Sequence, residues 1–173
     1  MGYDAIQDIK KPQIARLIER VGIKRMSGLI YEESRGILLV FLEYFLKKVI
    51  VYTDYYRKKT VSVDHVMMAM KSSLYLIKKN IPTCSPKDYK ATTCLIFQKA
   101  PFQRLIREIA NSYKRDLAFE QEALQLIQYY AEIYMTNVYT EARYVLMAAK
   151  RETLEPRDLQ TARAITGTGK SMM

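Results

Sequence analysis

The 173-residue sequence has little cysteine and histidine, and each shortage excludes a class of protein. Cys84 and Cys94 are the only cysteines; they form no CxxC pair and cannot build a disulfide framework, so we expect a reducing compartment. His65 is the only histidine, which leaves no histidine-rich metal site and no nucleophile–base constellation. We therefore predict that the chain is not an enzyme, with no catalytic residues, no metal and no cofactor.

Long apolar runs are also missing. The longest, residues 37–42, is far too short to span a bilayer, so no membrane partner is expected. Positive charge is abundant instead: 28 Lys and Arg face 18 Asp and Glu, giving a net charge of +10. That excess favours a polyanionic partner, which is more often nucleic acid than an anionic membrane surface.

The spacing of apolar residues predicts an all-α protein. Residues 29–56 carry apolar side chains at three- and four-residue intervals, which predicts one long helix with Ser27 as its N-cap. A short helix over 11–21 precedes it, with Pro12 in the first turn and Gly22 at the end. Another short helix follows over 62–72, with Ser62 as its cap. The first half is thus predicted to contain a short helix, a long helix and a second short helix.

The second half repeats this order. Pro101 is expected to open a helix that ends near Ser112, a long helix should run over 120–149, and Pro156 should open a last helix to about Ile165. The repeat distance of about ninety residues indicates a tandem duplication of one three-helix unit. A connector over 73–97 separates the units, with a short helix predicted after Ser85.

Two such units can bury their long helices by crossing head to tail. This packing brings the loop before one long helix beside the loop after the other. Lys24 and Arg25 would then meet Lys150, Arg151 and Thr153, while Lys114 and Arg115 would meet the run from Arg57 through Lys58 and Lys59 to Thr60. Such paired loops would bind the phosphates of double-stranded DNA without selecting bases.

The aromatic residues and the histidine each allow two interpretations. Tyr129, Tyr130 and Tyr134 could stack on bases, but their helical spacing favours packing or interface roles. His65 lies among methionines without a cysteine or carboxylate cluster, which favours a partly buried or interface histidine over a metal ligand.

Long stretches of the chain resemble core histones. The first half is similar to core histone four over DAIQDIKKPQIARL (4–17), KRMSGLIYEESRG (24–36) and LVFLEYFLKKVIVYTDYYRKKTVS (39–62). The second half is similar to core histone three over APFQRLIREIA (100–110), KRDLAFEQEAL (114–124) and AKRETLEPRDLQTARAITG (149–167). This order of units on one chain resembles the histone doublets of large DNA viruses of the marseillevirus kind.

The resemblance implies two tandem histone folds, over 1–72 and 98–173, that form an intramolecular handshake pseudo-dimer and package DNA in a nucleosome-like particle. It implies that Arg25 enters the minor groove. It places the following further residues at the DNA edge: Lys11, Pro12, Arg16, Arg57, Lys58, Lys59, Thr60, Lys99, Arg104, Arg107, Lys114, Lys150, Arg151 and Thr153.

The resemblance also implies protein partners. A second copy of the chain is expected to bind through the histone-three-like half, and a dimer or doublet of the other two core-histone types through the first half. The interface residues that it implies are Tyr52, Tyr55, Met68, Val145, Ala148, Arg151 and Asp158. The last two match a pair in the four-helix bundle where two histone-three units meet. The expected locations are the virion and the viral replication compartment or the host nucleus.

Four positions depart from the family pattern, and one of them is Glu19, which stands where the family is basic. Ala118 replaces an arginine that enters the minor groove, Ala148 replaces an interface histidine, and Met68 replaces an interface tyrosine. The loss at Ala118 predicts one minor-groove contact fewer. The alternative function is that of a histone-fold scaffold in a transcription complex, which would bind protein rather than DNA and would tolerate the removal of the loop cations.

Overall fold

The computed structural model describes residues 3–73 and 95–166, and these residues are mostly helical. Six α-helices lie within the two ranges: α1 (Lys11–Arg20), α2 (Ile30–Tyr55), α3 (Val63–Ser72), α4 (Lys99–Tyr113), α5 (Gln121–Ala148) and α6 (Pro156–Thr166). A 3₁₀ helix, Asp4–Asp8, precedes them. Most of the predicted connector, with its expected short helix and both cysteines, lies outside the described residues.

The six helices fall into two sets of short, long and short, as the periodicity predicts. The long helices contain 26 and 28 residues and end within two residues of the predicted limits. On α2, the predicted apolar face is buried from Ile30 to Val49. Burial of this face supplies the main stabilisation of such long helices, because helix propensity alone contributes little.

The residue predicted to cap α2 and the residue predicted to open α4 are both wrong. Ser27 does not cap α2, because the helix begins at Ile30 and Leu29 holds the cap position without a side-chain hydrogen bond. Instead, the Ser27 N–H donates to the Leu154 carbonyl at 2.9 Å, which ties it to the other half of the chain. Pro101 does not open α4, which begins two residues earlier at Lys99. A proline is tolerated there because the first N–H groups of a helix have no partner within it.

Two short parallel strand pairs join the halves. Strand β1 (Arg25–Met26) pairs with β4 (Thr153–Leu154), so that Arg25 lies opposite Thr153. Strand β2 (Thr60–Val61) pairs with β3 (Ala118–Phe119), so that Thr60 lies opposite Ala118. In each pair, the strand before one long helix meets the strand that follows the other long helix.

Aromatic side chains fill the contact between α2 and α5. Phe41 and Tyr134 stack with ring centroids 4.3 Å apart, and Phe45 meets Tyr130 edge to face at 6.1 Å. Tyr129, Tyr130 and Tyr134 are all buried. The packing interpretation of these tyrosines is therefore confirmed, because buried rings cannot stack on bases.

A buried carboxylate fixes the entry to α4. Glu132 of α5 accepts hydrogen bonds from the backbone N–H groups of Ile96 and Phe97 at 2.9–3.0 Å, and Gln128 donates to the same carboxylate at 3.1 Å. Burial raises the pKa of Glu132, while the two backbone hydrogen bonds, Gln128 and the charge of Arg20 oppose the shift. The side chain thus anchors the segment leading into α4.

Glu132→Ala is expected to lower the free energy of unfolding by about 2–4 kcal/mol, because it leaves buried donors without an acceptor. Glu132→Gln keeps one acceptor and should cost less.

The raised pKa means that the folded chain binds the Glu132 proton more tightly than the unfolded chain. The stabilisation that comes from binding this proton is complete below the ordinary pKa of glutamate, and it is lost as pH rises through the pKa of the folded state. Urea melts at several pH values test this: the wild type should gain stability relative to Glu132→Gln as pH falls, and a constant difference would contradict it.

Candidate nucleic-acid interface

The first cluster of cations surrounds the β1–β4 pair, and we call it the Arg25 end. It consists of Lys24–Met26 from the first half and Lys150–Leu154 from the second half. Lys24, Arg25, Lys150 and Thr153 are exposed. The strand register holds the backbones of the two loops together, so these side chains share one surface.

The second cluster surrounds the β2–β3 pair, and we call it the Lys59 end. It consists of Arg57–Val61 and Lys114–Phe119. The Ala118 N–H donates to the Lys59 carbonyl at 3.1 Å, which fixes the position of the lysine. Every residue from Arg57 to Thr60 is exposed, and so is Arg115. The structure therefore brings together the two groups of loop cations that the sequence pairs.

Both long helices end in the same way, with a basic residue in the left-handed conformation. Arg57 and Lys150 each have φ of 52°. In the first half, the Arg57 N–H donates to the Asp54 carbonyl at 2.9 Å and the Lys58 N–H to the Thr53 carbonyl at 3.1 Å. Lys150 and its successor make the equivalent bonds at the end of α5. This is the Schellman arrangement, which usually has glycine at the left-handed position.

Arg57→Gly should stabilise the fold and weaken nucleic-acid binding at the same time. A left-handed backbone costs a residue with a side chain about 1 kcal/mol, which glycine avoids. We expect the free energy of unfolding, measured by urea titration, to rise by about 0.5–1 kcal/mol. Lys150→Gly provides an independent repeat at the other end. A loss of stability in both variants would show that the arginine and lysine side chains support the fold rather than a ligand.

Three of the predicted DNA-edge cations form ion pairs between the halves. Arg25 Nη1 lies 2.8 Å from Glu152 Oε2, and Arg104 Nη1 lies 2.7 Å from Asp8 Oδ2. Lys114 pairs with Asp54 at the end of α2. All three pairs are partly or largely exposed, so each contributes little to stability. Their cations remain open to exchange with another anion.

Arg151 and Asp158 form the pair that the resemblance implies, and both lie in the second half. The Arg151 guanidinium pairs with Asp158 and Glu155, and only 28% of the side chain is exposed. Asp158 is buried and also accepts the Glu155 N–H at 2.9 Å, at the start of α6. The half-buried Arg151 thus holds the buried Asp158 at the start of α6, while a DNA-edge role for Arg151 and an interface role for Asp158 stay predictions.

The remaining predicted DNA-edge residues lie on the first short helix of each half. Lys11 and Lys99 begin α1 and α4, and Arg16 and Arg104 are the sixth residues of the same helices. Arg16 and Arg104 are exposed, as are Pro12 and Arg107. Lys11 also lies 5.6 Å from the ring centre of Tyr31. The equivalent positions of these cations extend the repeat beyond the loops.

Two exposed apolar patches mark the ends of the long helices. In the first half, Tyr55 is 78% exposed and Met68 is 37% exposed, while Tyr52 is half-buried. In the second half, Val145 is half-buried and Ala148 is exposed. The sequence prediction missed four larger exposed side chains at these places: Val51, Tyr56, Tyr144 and Met147. In the sequence, each of them is an apolar residue at a helix position that does not face the core.

The described residues offer few other kinds of site. Within 3–73 and 95–166, no group of three or more metal-binding side chains is found, and no helix has the length and apolar character to cross a membrane. His65 is buried, and its Nδ1 accepts the Ser62 N–H at 3.2 Å, which accounts for one ring nitrogen. The interpretation of His65 as a partly buried structural residue is confirmed.

A protein-family comparison matches the second half. Residues 81–165 fit the family model "Histone", which describes the core histone domain shared by all four core-histone types. The match takes in 85 of the 173 residues, over the connector and the second three-helix unit. It supports a core histone domain in this part of the chain, whereas the likeness of the first half to histone four stays a prediction.

A solved structure matches nearly the whole chain. The crystal structure of the histone from Methanopyrus kandleri is similar with a TM-score of 0.67 and 17% sequence identity, over 91% of this chain and 95% of that chain. An alignment of that extent includes both halves. The likeness shows that the chain has the histone fold.

Proposed function

We propose that this chain is a DNA-packaging histone doublet, with two tandem histone folds over 1–72 and 98–173 in a handshake pseudo-dimer. The observation that carries the proposal is the meeting of loop cations from both halves at the Arg25 end and again at the Lys59 end. The histone fold and the core histone match of the second half support it. The protein acts by binding and bending duplex DNA, without catalysis.

Each end binds the DNA backbone through charge. Exposed lysines and arginines neutralise phosphates and release condensed counterions, so affinity falls steeply with salt and little with sequence. Arg25 is the residue that we assign to the minor groove, since its side chain is 71% exposed at the start of β1. Ala118 occupies the start of β3 at the other end, so the Lys59 end holds DNA through phosphates alone.

The exposed apolar patches are assigned to protein partners. The patch at the end of α5, which includes Tyr144 and Met147, is the surface for a second copy of the chain. The patch at the end of α2, which includes Tyr55, is the surface for a dimer or doublet of the other two core-histone types. We place this assembly in the viral particle, the replication compartment or the host nucleus, in keeping with the resemblance to viral doublets.

Arg25→Ala is expected to weaken binding by a similar factor, about three- to tenfold at ~0.1 M salt, on duplexes of different sequence. The reason is that a minor-groove arginine and a phosphate contact carry little base information. Fluorescence anisotropy with three labelled duplexes of unrelated sequence measures the effect. Lys47→Ala, which removes one exposed cation from the middle of α2, is the matched control and should change little.

The outcome separates packaging from scaffolding. A loss confined to one sequence would contradict sequence-independent packaging. Binding that is weak in the wild type and equal in Arg25→Ala and Lys47→Ala would support the scaffold function instead, because a scaffold has no use for loop cations.

A further inference from the structure

The Arg25 end contains a carboxylate where DNA phosphates are expected. Glu152 immediately precedes Thr153, and its Oε2 lies 2.8 Å from Arg25 Nη1. The β1–β4 register places Arg25 directly opposite Thr153, so the backbone itself holds the carboxylate beside the guanidinium. Both side chains are more than two-thirds exposed, at 71% and 77%, and thus lie on the surface that we assign to DNA.

The equivalent position at the other end has the opposite charge. Lys59 immediately precedes Thr60 there, and Ala118 begins the paired strand in the place that corresponds to Arg25. One end therefore combines an arginine with a glutamate, and the other combines an alanine with a lysine. The two ends have the same backbone pairing but a different electrostatic character at the centre of each cluster.

We propose that Glu152 is an internal counter-ion that pairs with Arg25 in the DNA-free chain and lowers the affinity of the Arg25 end for DNA. This inference rests on the proposed function. DNA whose minor groove receives Arg25 must displace the Glu152 carboxylate, which then faces the negatively charged backbone. Arg25 exchanges one anion for another, so fewer counterions are released on binding than a free arginine would release.

The test compares Glu152→Gln with the wild type by anisotropy of a labelled duplex over a range of salt. We expect Glu152→Gln to bind about three- to tenfold more tightly at ~0.1 M salt. The slope of log affinity against log salt should steepen by about 0.9, the value for one more phosphate charge neutralised, because Arg25 is then no longer offset by a carboxylate. Glu141→Gln is the matched control, because it removes the same charge from α5 outside both ends.

The double variant Arg25→Ala/Glu152→Gln tests whether the two residues act together. If Glu152 acts through Arg25, most of the gain from Glu152→Gln disappears when Arg25 is absent. A gain equal to that of Glu141→Gln, or one that persists in full without Arg25, would overturn the inference and leave the proposed function standing. A wild-type chain that binds no duplex at all would overturn both.

Discussion

The double substitution Lys58→Ala/Lys59→Ala is expected to reduce affinity for duplex DNA by about fiftyfold at ~0.1 M salt, because each lost phosphate contact changes affinity by nearly tenfold at that salt concentration. Both lysines are exposed at the Lys59 end, on backbone that the β2–β3 pair fixes. The slope of log affinity against log salt should become shallower by about 1.8, which corresponds to two contacts. Salt titrations by fluorescence anisotropy measure both quantities.

The matched control for this prediction is Lys47→Ala/Lys48→Ala. It removes the same charge from the same half, but from the middle of α2 and outside both ends. Because Lys48 also donates to the Ser73 hydroxyl at 3.2 Å, thermal melts must show that this variant is fully folded. If the two double variants lose affinity equally, net charge alone controls binding, and the ends are not a site. The fold should survive in the Lys58/Lys59 variant, because both side chains are exposed and neither forms an ion pair within the described residues.

Asp158→Ala is expected to lower the free energy of unfolding by about 3 kcal/mol. The substitution removes the buried partner of Arg151 and the acceptor for the Glu155 N–H at the start of α6. For a chain of this size, such a loss corresponds to a fall in melting temperature of about 6–12 °C. Glu155→Ala is the control, since its carboxylate is 38% exposed and its pairs with cations contribute little.

The burial of Asp158 makes this residue unsuitable for testing self-association. A charge reversal at this residue would damage the fold before it could report on an interface. Met147→Glu is the suitable variant, because Met147 is 61% exposed on the last turn of α5 and should tolerate a charge. We expect wild-type chains to pair and Met147→Glu chains to remain single and fully folded, as measured by light scattering and thermal melts. Equal masses for the two proteins would exclude this patch as the surface for a second copy.

The sequence predicted the helices well because their signal is local. Apolar spacing along α2 and α5 defined two long helices, and the spacing of Tyr130 and Tyr134 correctly indicated packing. The N-cap of α2 was mispredicted: Leu29 holds that position, and the Ser27 backbone N–H is bonded to the carbonyl of Leu154, more than a hundred residues away. Local capping preferences cannot anticipate a partner that only the folded chain brings near.

The candidate site shows the same division. The loop cations were evident from the sequence because they recur at equivalent places in both halves. The partners of these cations were not evident, since Arg25 meets Glu152 only through the β1–β4 register. The pairing of Arg151 with Asp158 followed from the resemblance, but its half-buried position depends on how α6 begins. Sequence spacing identifies which residues carry charge, while packing decides which charges remain available to a ligand.

Nuclease protection of duplex DNA mixed with the purified chain tests the central claim most directly. Packaging by a paired doublet predicts a discrete protected fragment of roughly half the ~147 bp wrapped by a complete histone octamer. The fragment should lengthen when a dimer of the other two core-histone types is added. It should shorten or disappear with Met147→Glu, which prevents pairing of two copies. A smear, or no protection at salt concentrations where the chain binds DNA, would contradict the proposal that this protein wraps DNA.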